Sequence, residues 1–107
     1  MNTDCLIVEV QRKQAGTLTK TDRGFEFAYR MGYDGPPVSL TLPVREQPYR
    51  FETFPSFFDG LLPEGVGLEG LLRTRKLDRN DWMGQLLAVG GDVPGFVTLR
   101  APKPGEP

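Results

Sequence analysis

Pro63-Glu64-Gly65-Val66-Gly67-Leu68-Glu69-Gly70 places three glycines at the spacing G-x-G-x-x-G. That spacing holds phosphates in two settings, the strand-to-helix turn of a dinucleotide-binding domain and the glycine-rich loop of a kinase. The first needs a buried parallel strand directly before the turn and a helix opening at the third glycine. Here the preceding residues are Leu61-Leu62-Pro63-Glu64, a helical-looking segment with a proline, and Glu64 and Glu69 would repel a pyrophosphate. An acid follows at a suitable interval, Asp92, but 107 residues leave no room for a βαβαβ unit among the strands read below. The second setting needs a following strand lysine and the H-R-D and D-F-G sequences, and the chain has neither sequence. Phe58-Asp59-Gly60 matches in composition alone. The glycines therefore read as turn and close-approach residues, and no nucleotide or other cofactor is expected.

Other catalytic constellations are largely excluded by residue type. There is no histidine, so Ser-His-Asp and Cys-His arrangements and imidazole zinc sites cannot be built. The single cysteine, Cys5, can form neither an internal disulfide nor a thiolate metal cluster, and its apolar, strand-like setting predicts a buried core thiol. Asp78 and Asp81 most simply cap a helix, and Arg73-Thr74-Arg75-Lys76 reads as a helix C-terminus whose cations complement the helix dipole. The balance of 13 basic and 14 acidic residues, net −1, argues against direct nucleic-acid binding, which depends on clustered cations. No apolar run has membrane-span length, and the N-terminus lacks a signal-peptide pattern, so a soluble cytoplasmic domain is expected. An enzyme is not.

The elements that must position these residues divide into two halves. Cys5–Val10, Gly16–Thr19, Phe25–Met31 and Val38–Leu42 read as strands, with turns at Lys13–Ala15, Asp22–Gly24 and Asp34–Pro37. Val44–Thr53 is polar and reads as a loop or irregular extended segment. From Pro55 the apolar spacing becomes helical. Pro55-Ser56 can cap a short helix carrying Phe57, Phe58, Leu61 and Leu62, a second helix covers Leu68–Arg75, and Asp78 caps a third over Asp81–Ala88. Gly90-Gly91 ends that helix, and Gly95–Leu99 is a last strand. The expected fold is α+β: a small antiparallel sheet or partly closed barrel of about five strands, with two or three short helices before the last strand. Residues 1–100 form one domain and residues 101–107 a flexible proline-rich tail.

Several blocks in order carry a resemblance. Pro55-Ser56-Phe57-Phe58-Asp59-Gly60-Leu61-Leu62-Pro63-Glu64-Gly65 resembles the signature of the N-terminal subdomain of HipA-type kinase toxins. Gly16-Thr17-Leu18, Phe27-Ala28-Tyr29 and Val38–Pro43 upstream fit the same subdomain, as do Gln85–Asp92 and Gly95-Phe96-Val97 downstream. Gly95-Phe96 stands where the family has Gly-Ala. The similarity spans roughly residues 5–100, and the chain carries no kinase body, so it implies the fold and not the phosphotransfer.

A stand-alone subdomain of this kind resembles the HipS-like antitoxins of split HipBST-type toxin–antitoxin systems. The resemblance implies a non-catalytic protein that binds and inhibits a separately encoded HipA-like (HipT) Ser/Thr kinase by contact near its active site. It also implies a HipB-like helix-turn-helix protein as a third member of a ternary complex. The expected partner-binding residues are Pro63, Glu64, Gly65, Val66, Gly67, Leu68 and Glu69. Leu61 and Leu62 would anchor the segment, Val66 and Leu68 would project as apolar contacts, and Glu64 or Glu69 would meet cations of the partner. Two alternatives remain open at this level. One is a structural subunit that completes or activates such a kinase, the other a corepressor acting with a helix-turn-helix partner. A further alternative makes Val66 and Leu68 part of the local core.

Overall fold

Alternating apolar and polar residues build one antiparallel sheet with most of its large apolar groups on one face. In the computed structural model, which describes residues 4–91 and 96–104, β1 is Cys5–Val10, β2 Lys13–Thr21, β3 Gly24–Tyr29 and β4 Tyr49–Phe51. Three helices follow, α1 Ser56–Asp59, α2 Gly65–Arg75 and α3 Trp82–Val89, before the last strand β5, Val97–Arg100. The sheet is open, in the order β4-β3-β2-β1-β5.

Register explains the core. Leu6 lies opposite Leu18, Leu18 opposite Phe27, and Phe27 opposite Tyr49, so one row of large apolar groups crosses four strands. The neighbouring row runs from Leu99 through Val8 and Gly16 to Tyr29. Gly16 is required there, because a Cβ would meet the Ala28 carbonyl oxygen at 2.3 Å. Phe58 packs on Phe27 at 5.6 Å between ring centroids, while Met83 and Leu86 of α3 complete the cover. The other face carries the fully buried Ile7 among Thr17, Thr19 and Glu26, and Glu9, whose carboxylate pairs with Arg100 at 3.0 Å.

The structure moves several expected elements. Val38–Leu42 does not form a strand of the sheet: it makes one isolated bridge, Ser39 to Leu42. Its alternation has another cause, since Val38 and Leu42 are buried and fixed by the Tyr29 hydroxyl. That hydroxyl donates to the Leu42 carbonyl and accepts from the Val38 N–H at 2.9 Å. The fourth strand is instead Tyr49–Phe51, inside the segment expected to be irregular. The β1–β2 turn is Gln11-Arg12, and Lys13–Ala15 already belong to β2. Cys5 is half-buried at the start of β1, not a fully buried core thiol. The α3 cap is Asp81, whose Oδ1 accepts from the Gly84 N–H at 3.0 Å, and not Asp78. Asp92, Gly95 and residues 105–107 lie outside the described residues.

Tyr29 should therefore govern stability. Burial raises its phenol above the ordinary value of 10.0, with the Val38 hydrogen bond acting in the opposite sense. The folded chain holds this proton more tightly than the unfolded chain. The resulting stability is full below the unfolded value and is lost as pH rises through the folded one. Tyr33, stacked on Tyr29 at 5.6 Å, is raised in the same sense by burial. Tyr29→Phe leaves two buried backbone groups without their partner and should destabilise by roughly 2–4 kcal/mol at neutral pH. The variant's loss should shrink in alkaline solution. Urea titrations from neutral to alkaline pH check both, and a variant as stable as the parent contradicts the bridging role.

Candidate functional site

The candidate site grows from the anchor of α1. Phe58 is fully buried, and the turns after it continue through hydrogen bonds from Leu61 N–H to the Phe58 carbonyl and from Leu62 N–H to the Asp59 carbonyl, both 3.1 Å. They deliver Leu62 into the core, 9% exposed, with Leu61 packed against it. Pro63 then stops the helical path and the backbone becomes extended at Glu64. Gly65 adopts φ 57°, the left-handed region that a side chain enters at a cost, and starts α2. The expected helix at Leu68 thus begins three residues earlier. All three glycines of the G-x-G-x-x-G spacing lie in α2, and α1, not a strand, is the element directly before them, so the phosphate-binding arrangement is not formed.

The seven expected partner-binding residues form one contiguous ridge. Glu64, Gly65, Val66, Gly67 and Glu69 are exposed, and Pro63 and Leu68 are half-buried. Val66 is 89% exposed, which removes it from the local core, whereas Leu68 rests partly on the domain. Glu64 gives α2 no side-chain cap bond. Glu69 is less available than expected, because its carboxylate pairs with Arg79. Sequence reasoning had no signal for that pair. It depends on Gln85, only 2% exposed, whose amide donates at 3.0 Å to the carbonyls of Asp78 and Arg79 and so fixes the loop carrying Arg79.

Energetically α2 is poorly supported by its own domain. None of its residues is buried. Gly67 and Gly70 each weaken a helix by ~1 kcal/mol relative to alanine, and a Cβ at Gly70 would meet nothing within 4 Å. The Glu69–Arg79 pair is surface-exposed and contributes ~1 kcal/mol at most. Remaining support comes from the half-buried Leu68, Leu71 and Leu72 and from the left-handed cap at Lys76, where the Leu77 N–H reaches the Leu72 carbonyl at 2.9 Å. Beneath the ridge, Leu62, Pro63, Leu68, Arg79 and Trp82 border a groove of about 250 Å³. That is smaller than usual small-molecule sites.

Among the described residues, no group of three or more histidine, cysteine, aspartate or glutamate side chains is placed to hold a metal ion. Nor is any helix there long and apolar enough to cross a membrane.

Comparison with known proteins agrees with the architecture. The family described as HipA N-terminal domain matches residues 6–100. An uncharacterised protein of Haemophilus influenzae is 32% identical over 88 residues, covering 82% of this chain and 83% of that protein. A solved structure described as the N-terminal domain of HipA toxin superposes with a TM-score of 0.74 at 26% identity, covering 94% of each chain. With the open five-stranded sheet and its three helices in place, the chain belongs to the HipA N-terminal domain family.

Proposed function

We propose that this protein is a non-catalytic cytoplasmic antitoxin, which binds a separately encoded HipA-like Ser/Thr kinase and inhibits it by contact near the active site. The observation that carries the reading is α2: a helix with no buried residue, presented by a core-anchored turn, with Val66 almost fully exposed at its start. An isolated domain gains little from such a helix. A partner that covers it supplies the missing apolar contact, and Gly67 and Gly70 leave room for close backbone approach. Glu64, which makes no capping hydrogen bond to α2, would meet a cation of the partner.

A second reading has its own support, because the structural relative is described as a domain of the toxin itself. On that reading the chain completes or activates a kinase body. Both readings use α2 as the contact and differ in the sign of the effect.

Co-expression with a HipA-like kinase should relieve growth arrest, and the purified pair should show stoichiometric binding with reduced phosphotransfer. Raised phosphotransfer would favour the activating subunit, and no binding would remove both. Val66→Asp should weaken binding by at least ~tenfold without altering the melting temperature, since a hot-spot contact is lost from an exposed position. Gly70→Ala should raise stability by up to ~1 kcal/mol while weakening the complex. A Val66→Asp chain that unfolds, or binds as before, contradicts the assignment of the ridge.

A further inference from the structure

A second surface lies where the β1–β2 turn meets the end of β3, and its residues are separate from those of the α2 groove. Gln11 and Arg12 occupy the two-residue turn with φ of 53° and 68°, between the paired Val10 and Lys13. Turns with two positive φ values favour Asn and Gly, so the Gln-Arg pair gives up local preference and places a cation at the tip. Beside it, Lys13, Arg30 and Met31 line a cleft of about 460 Å³. Met31 is 98% exposed. Phe96, 72% exposed, adjoins the turn, its carbonyl accepting the Gln11 N–H at 2.9 Å.

Charge complements this apolar exposure. Arg12, Lys13 and Arg30 are exposed, and neither ion pair among the described residues involves them. Asp34 is the single carboxylate among the residues lining the cleft. Lys13 and Arg30 beside the exposed Met31 thioether in the cleft, with Arg12 at the adjoining turn, select a ligand that carries both carboxylates and an apolar group. Methionine adapts its shape to such a group, and cations at the rim steer and orient an acidic chain.

We propose that this end of the sheet is a second docking surface, for an acidic segment of a protein partner that also presents an apolar side chain. Nucleic acid fits less well, because phosphates would engage the cations but leave Met31 and Phe96 uncovered. The surface works independently of α2 and of the sign of any effect on a kinase.

Titrating the isotope-labelled protein with a peptide that alternates glutamate and leucine tests this by NMR and by fluorescence anisotropy. The amides of Gln11, Lys13, Arg30 and Met31 should shift, those of α2 should not, and affinity should fall as salt is added. Lys13→Glu with Arg30→Glu should weaken binding by at least ~tenfold at an unchanged melting temperature. Met31→Ser should weaken it without changing its salt dependence. Arg12→Gly separates binding from folding, because it should raise the melting temperature while lowering affinity. Overturning results are no binding of the peptide, equal binding of its glutamine counterpart, tighter binding of duplex DNA, or shifts confined to α2.

Discussion

The contact of Phe58 with Phe27 is the interaction on which the candidate site depends. Both rings are fully buried, and each comes from an element with a different task. Phe27 stands in the apolar row that crosses the sheet, while Phe58 is the buried residue of the four-residue helix α1. A helix that short has no stability of its own, so its geometry is set by the pocket that receives Phe58. From there the chain has five residues to reach Pro63. Hydrogen-bonded turns through Leu61 and Leu62 convert the position of one buried ring into the position of the exposed ridge.

This division of labour accounts for the contrast between the two ends of the segment. Leu62 and Phe58 belong to the core, whereas Val66, a short distance along the chain, is almost fully exposed. Pro63 and Gly65 make the transition abrupt, the first by ending the helical path and the second by entering the left-handed region. Helix α2 is then held by half-buried leucines, one exposed ion pair and a capped C-terminus. None of its residues is fully buried. Structure with so little burial occupies the low-stability end of a protein, where segments that order on binding are found.

Much of the fold was legible because one-sided sheets announce themselves by alternation. The alternating run Phe25–Tyr29 forms a strand with one buried face, and the β-branched run at Cys5–Val10 forms β1. The same signal misplaced the fourth strand. Val38 and Leu42 alternate with polar neighbours because Tyr29 holds them in the core, and alternation reports burial without reporting pairing. Tyr49–Phe51 is too short to carry a period and follows Pro48, so only its register with Phe25 and Phe27 identifies it. At the site, Leu61-Leu62-Pro63-Glu64-Gly65 was readable as an anchored turn. The early start of α2 was obscured by its glycines, which argue locally for a turn. The Glu69–Arg79 pair was invisible, since a buried glutamine brings the loop of Arg79 into place.

On the proposed function, a partner completes α2 where its own domain does not. Amide hydrogen exchange on the free chain and on its complex with a HipA-like kinase tests it most directly. In the free chain, amides of α2 should exchange at least ~tenfold faster than those of β1 and β3. In the complex they should become protected while the sheet changes little. Protection of α2 equal to that of β1 in the free chain, or unchanged exchange of α2 in a stable complex, would contradict the claim.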